Sequence, residues 1–215
     1  MFNFKYVIYF FVLYCFFPVI AGSYDDFFKA LKSDEAPVVA AVLARGFDPN
    51  TLSSDGQYPL VLAIRGQSPA VLELLLRSKG LRAEVRTAKD ESPLMLASMA
   101  GMLEVCKRLI ALDADVNKTG WTPLHYAASG GHVAVVKLLL THSAYIDAES
   151  PNKTTPLMMA AMYGNPQTVE LLLTEGADAS LKNQKGMSAL DFADAADNQA
   201  SAKLLVRHMI SRPSP

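Results

Sequence analysis

Residues Thr122–Leu140 read TPLHYAASGGHVAVVKLLL, and the same template returns as TPLMMAAMYGNPQTVELLL from Thr155 and SPLMLASMAGMLEVCKRLI from Ser92. Weaker copies begin at Tyr58 (YPLVLAIRGQSPAVLELLL), Asp25 (DDFFKALKSDEAPVVAAVL) and Ser188 (SALDFADAADNQASAKLLV). The starts at 25, 58, 92, 122, 155 and 188 are spaced by 33, 34, 30, 33 and 33 residues. Self-similarity at such a period marks a repeat architecture, in which each unit carries too little apolar surface to be stable alone and buries it against its neighbours.

Each position of the template has a physical reading. At Ser92-Pro93, Thr122-Pro123 and Thr155-Pro156 a hydroxyl can cap the first free N–H groups of a helix, and proline takes the first turn, where its missing N–H does no harm. Gly101, Gly131 and Gly164 follow nine residues on, where a left-handed residue can end the short helix. A second apolar run then begins, so each repeat is predicted to be two antiparallel helices. Ala97, Ala127-Ala128 and Ala160-Ala161 are small where neighbouring helices pack closely. In the first copy Asp25-Asp26 stand in place of hydroxyl and proline and read as a cap. In the last, Asp191, Asp194, Asp197, Asn198 and Gln199 read as the polar dressing of a terminal face. Between Asn117 and Trp121 the connection is three residues shorter than its neighbours, which predicts a stubby hairpin there.

The T-P-L-H-x-A run at Thr122–Ala127 and the 33-residue period resemble the ankyrin repeat, and the resemblance covers nearly all of the chain after residue 21. It implies an all-α ankyrin-repeat solenoid of stacked helix-turn-helix units with hairpin loops. The repeats are placed at about 25–57, 58–91, 92–121, 122–154, 155–187 and 188–210, within a domain of residues 22–210, followed by a disordered tail at 211–215. It also implies a binding module that presents hairpin tips and exposed first-helix positions on a concave face. Carried over position by position, the family's contact sites fall on Gln57, Arg65, Glu91, Met99, Trp121, Ser129, Met162, Tyr163 and Met187. His125 and His132 match the family's two histidines, the first expected to brace the hairpin and the second to help end the helix turn.

Trp121 is the only tryptophan, and tryptophan is enriched among residues that dominate interface energy. It is read either as a partner anchor or as a cover folded back over Pro123 or Pro93. Met95, Met99 and Met102, with Met158, Met159 and Met162, raise the alternative of a copper-handling protein, since thioethers suit Cu(I). Met95 and Met158 align with His125, however, and core filling is the preferred account. Cys106 aligns with Val136 and Val169 and is expected to be buried and inert. No cofactor and no metal are expected, and no catalytic residue is assigned. His-Glu-x-x-His, Gly-x-Ser-x-Gly, phosphate-loop and Cys-x-x-Cys signatures are all missing, and the repeats leave no segment for a catalytic domain. The chain is read as a non-enzyme.

Composition divides the chain in two. Nine of its 19 aromatic residues lie between Phe2 and Phe17, and Tyr6–Ala21 carries no charge after Lys5. That is the layout of a signal peptide, residues 1–21, with cleavage expected after Ala21. The remaining 194 residues hold 19 basic and 21 acidic side chains and the single Cys106. No intramolecular disulfide can form, no cationic excess favours nucleic acid, and stability must come from packing. An exported array without disulfides points to the periplasm, the alternatives being an inner-membrane anchor, if the N-terminal segment stays, or secretion. On this ground the glycosylation sequons at Asn117 and Asn152 carry little weight. The expected partner is another protein, with the membrane involved only through an uncleaved N-terminus, and the chain is expected to be a monomer.

Overall fold

The computed structural model describes residues 23–211; the expected export segment at residues 1–21 and residues 212–215 of the expected tail lie outside the described residues, while Ser211, expected to open that tail, is the last residue of a helix. Among the described residues there are twelve helices and no strand. The chain divides between Arg82 and Ala83 into two compact units.

The first unit holds α1 (residues 23–32), α2 (Ala36–Ala44), α3 (Pro59–Arg65) and α4 (Pro69–Leu76). Phe27, Phe28, Ala30 and Leu31 of α1 are buried, and Phe27 packs on Phe47 with ring centres 4.6 Å apart. Asp25 and Asp26 do not cap this helix, because it is already under way at Ser23. Tyr24 stacks on Phe28 one turn later at 4.8 Å and donates its hydroxyl to Leu52 O at 3.1 Å, which carries the helix past the two acids. The Asp34 carboxylate accepts from Val71 N at 2.9 Å and so caps α4 from the neighbouring helix pair.

The second unit holds α5 (Pro93–Met99), α6 (Leu103–Ala111), α7 (Pro123–Ser129), α8 (Val133–Thr141), α9 (Pro156–Tyr163), α10 (Pro166–Thr174), α11 (Ala189–Ala195) and α12 (Gln199–Ser211). They form two layers: α5, α7, α9 and α11 pack in series, as do α6, α8, α10 and α12. The predicted alanines Ala97, Ala127, Ala128, Ala160 and Ala161 are fully buried, with Leu94, Leu124 and Leu157 beside them. Cys106, Val136 and Val169 are buried as their shared register predicts. Burial pushes the Cys106 thiol up to about 11, so it is held protonated.

Two of the three turn glycines take the expected left-handed conformation, Gly101 at φ +68° and Gly131 at φ +70°. Gly164 does not: its φ is −79° and its backbone extended. It is required for space instead, since a Cβ there would stand 2.5 Å from Ala128 O and 2.8 Å from Ala160 O. His132 also departs from expectation. It stands at the start of α8 and its Nε2 donates to Met99 O of the preceding repeat at 2.9 Å. Asn165 and Asn198 do the same work, their amides donating to Gly131 O at 2.7 Å and to Ala161 O at 3.1 Å. The residue opening each of these second helices is thus a tie between neighbours.

The last repeat corrects a further expectation in part. Asp191 and Asn198 are used in capping α11 and tying α12 to its neighbour, while the outer face of α11 and α12 is an apolar groove lined by Leu190, Ala202, Val206 and Ile210, with Asp194, Lys203 and Arg207 at its edges. Ile210 is 76% exposed. Asp191 and Asn198 thus serve the fold, Asp194 and Gln199 stand on the exposed face as expected, and Val206 and Ile210 of α12 face out beside them.

A second set of ties joins the loops. Asn50 accepts from Arg82 N at 2.8 Å and donates to Gly80 O at 2.9 Å. Asn117 repeats both bonds, with Tyr145 N at 2.9 Å and Ser143 O at 2.8 Å. Glu84 and Asp147 hold the same rung but only accept, from Asp115 N at 3.0 Å and Asp178 N at 3.1 Å. Partial burial raises the Asp147 carboxyl above its ordinary value, opposed by the bond from Asp178 N and helped by the Asp178 charge. A raised native value means that the ionised form is disfavoured on folding, a penalty present at neutral pH and relieved as pH falls through it. Asp147→Asn keeps the accepted bond and supplies a donor for Gly176 O, so urea denaturation at pH 7 is expected to show a gain of about 1 kcal/mol. The gain should shrink in acid; equal gains at both pH values would refute this account of the rung.

Candidate functional site

Four first helices of the second unit open with the same reciprocal pair. Ser92, Thr122, Thr155 and Ser188 accept from the backbone N–H three residues on, at Met95, His125, Met158 and Asp191. Each partner side chain returns a bond to the capping residue's own N–H: Met95 Sδ at 3.3 Å, His125 Nδ1 at 3.2 Å, Met158 Sδ at 3.4 Å and Asp191 Oδ2 at 2.6 Å. A thioether therefore stands in for imidazole or carboxylate. Met95 and Met158 are buried, with their sulfur atoms facing backbone amides, which explains why these methionines recur at the histidine position.

His125 makes one bond more. Its Nε2 donates to Thr154 O at 2.9 Å, bracing the next hairpin, as the resemblance implies. Because Nε2 carries the proton, Nδ1 is the acceptor for Thr122, and the ring is neutral. Burial pushes it down to about 4, against the opposing effect of its bonds to Thr154 and Ala148.

Trp121 immediately precedes this cap and lies edge-on against the His125 ring, with centroids 5.2 Å apart and planes at 75°. Its loop is the shortened one. Tips elsewhere are closed by a backbone bond over five residues, from Ser53 N to Gln57 O, Thr87 N to Glu91 O, Ser150 N to Thr154 O and Asn183 N to Met187 O; no such bond spans Asn117 to Trp121. Asn117 is instead tied forward to the Ser143–Tyr145 loop, and Lys118 pairs back to Asp90 of the preceding tip. The first two residues of the trimmed loop are anchored, and the half-buried indole sits at its far end.

The indole forms one wall of a cleft of about 320 Å³. Met159, Met162 and Tyr163 of α9, Phe192 and Ala195 of α11, Asn152 and Thr154 of one tip and Asn183, Lys185 and Met187 of the next complete it. Four of the nine sequence-predicted contact residues, Trp121, Met162, Tyr163 and Met187, are therefore brought together. Met99 is exposed on α5 and Ser129 half-buried at the end of α7, neither lining this cleft. Glu91 is held by hydrogen bonds from Thr87 and Tyr126. Gln57 and Arg65 belong to the first unit, where Arg65 donates to Gln57 Oε1 at 2.9 Å.

The sequence reading missed Met159 and Phe192. They share a register with Tyr126, Leu96 and Leu62, the fourth helical residue of each repeat, and the recurrence of a large apolar side chain there was the available signal. Asn152, Asn183 and Lys185 gave no such signal, because a tip residue's direction depends on how its turn closes. Among the described residues, no group of three or more His, Cys, Asp and Glu is placed to hold a metal ion, and no helix is long and apolar enough to cross a membrane.

The family model described as ankyrin repeats (3 copies) matches residues 27–118, 68–150 and 146–212. The chain belongs to the ankyrin-repeat family. Among its relatives, Neurogenic locus notch homolog protein 1 of Xenopus laevis is 27% identical over 129 residues, 59% of this chain and 5% of that protein. Glycerophosphocholine phosphodiesterase gde1 of Schizosaccharomyces pombe is 28% identical over 113 residues, 51% of this chain and 10% of that protein. Alpha-latrocrustotoxin-Lt1a of Latrodectus tredecimguttatus is 32% identical over 95 residues, 42% of this chain and 7% of that protein. The matched stretch is thus a small part of each, and what this ankyrin-repeat chain has in common with three proteins so differently named is the repeat itself.

The neutral His125 makes the site acid-sensitive. As pH falls from about 6.5 to about 4 the unfolded chain takes up a proton that the folded ring refuses, so stability drops by up to about 3 kcal/mol. His125→Met, the residue that Met95 and Met158 already provide in this register, keeps the return bond to the cap but loses Thr154 O. Urea titrations should show a loss of about 1 kcal/mol at pH 7.5 that closes near pH 6 and reverses towards pH 5. A difference that does not change with pH would contradict the assignment.

Proposed function

We propose that this ankyrin-repeat chain is a non-enzymatic binding protein that acts after export, in the periplasm, and engages another protein through the cleft headed by Trp121. One observation carries the reading: Trp121, the methionine and tyrosine side chains of α9, and Phe192 and Met187 converge from the third, fifth and sixth repeats on one solvent-open, largely apolar cleft. Aromatic and methionine side chains in such a position supply contact area that adapts to a partner. The apolar run after Lys5 supports export.

The copper-handling alternative loses ground to the same geometry. Met95 and Met158, which open the two methionine clusters, are buried with their sulfurs turned to capping amides. A membrane-tethered scaffold is the remaining rival, and N-terminal sequencing separates the two: a mature chain starting at Gly22 supports export with cleavage, and one starting at Met1 supports the tether.

The binding reading is tested by quantitative capture from the native compartment. Trp121→Ala with Met162→Ala should weaken retention of the partner at least about 30-fold, with unchanged helical circular dichroism. Retention unaltered by the double substitution would exclude the cleft as the contact.

A further inference from the structure

The polar groups of the Trp121 cleft are one-sided. Asn183 is only 8% exposed, and its Oδ1 accepts from Lys185 N at 2.9 Å and Met187 N at 3.1 Å. With the oxygen committed to the turn, the amide Nδ2 faces the other way, and it has no acceptor among the described residues. Asn152 is built alike, its Oδ1 accepting from Ser150 Oγ at 2.5 Å, its Nδ2 unclaimed. Neither the Lys185 ammonium nor the Trp121 Nε1–H has a partner among the described residues. No acidic side chain lines the cleft. The nearby Asp191 carboxylate is taken up by Ser188 N and Oγ at 2.6 and 2.7 Å.

Donors that water satisfies in the free protein need acceptors once a partner dries the cleft, because a buried donor left unmade costs more than a bond gains. A carboxylate is the protein group that answers several N–H donors and a lysine at once. The apolar floor asks for a hydrocarbon side chain alongside it, and about 320 Å³ leaves room for a few side chains.

We propose that the cleft selects an extended acidic segment of its protein partner, in which an aliphatic or aromatic side chain seats on Met159, Met162 and Phe192 while an adjacent Asp or Glu carboxylate meets Lys185 and the Asn183 amide. This deepens, and rests on, the protein-binding reading above. The charge at the rim sets which apolar segments are accepted, and the uncharged floor sets how tightly they hold.

Panning a random twelve-residue phage-displayed peptide library against the purified chain, with sequencing of input and output pools, tests it. Output peptides should carry Asp or Glu within two positions of a large apolar residue, enriched about three- to fivefold over input, the range a partly exposed charge pair supplies. Lys185→Glu, an exposed tip substitution, should abolish that bias and favour Lys and Arg. Apolar enrichment with no acidic bias, or the same bias in Lys185→Glu, would overturn the charge selection and leave protein binding standing. Output no different from that of the Trp121→Ala, Met162→Ala chain would remove the cleft as a docking site altogether.

Discussion

A helix of seven residues, such as α5, α7 or α11, is far below the length at which a helix holds itself in water. The reciprocal bond pair at its start makes it a defined object: the hydroxyl of Ser92, Thr122, Thr155 or Ser188 takes one free N–H, and the side chain three residues on takes the capping residue's own. This fixes where each first helix begins and how the chain enters it. Trp121 is the residue just outside such a pair, and the side chain that closes the pair, His125, is the one against which its indole rests. The site is therefore positioned by the element that makes the fold possible.

From that start the remaining order is relayed sideways. His132, Asn165 and Asn198 tie second helices to the repeat before, and Asn50, Glu84, Asn117 and Asp147 tie each loop to the next. Both sets use side chains that end in hydrogen-bonding groups of short reach. Where a carboxylate replaces an amide on a rung, one of two bonds is lost, so the ladder is uneven in strength along its length.

The repeat, its two helices and the buried alanines were legible because they depend on period and side-chain size. The function of individual polar residues was less so. Gly101 and Gly131 follow the left-handed reading, whereas Gly164 answers to a carbonyl contributed by the preceding repeat, which no local rule contains. His132 looked like a helix terminator since its partner, Met99 O, is 33 residues away in the chain. Asp25 and Asp26 were displaced as a cap by a Tyr24–Phe28 contact that favours an earlier start. Of the site, the residues borrowed from the family pattern reached Trp121, Met162, Tyr163 and Met187, while the amides of Asn152 and Asn183 became visible only through the turns that aim them.

Stacks of this kind couple each repeat only to the ones beside it, and their end units open before their middle ones. The cleft takes residues from the third to the sixth repeats together, so anything seated in it links units that otherwise communicate through an intermediary. Occupancy and fraying then become opposed equilibria: a ligand that holds Trp121 and Phe192 at once suppresses opening at the C-terminal end of the stack, and a frayed last repeat has no cleft to offer.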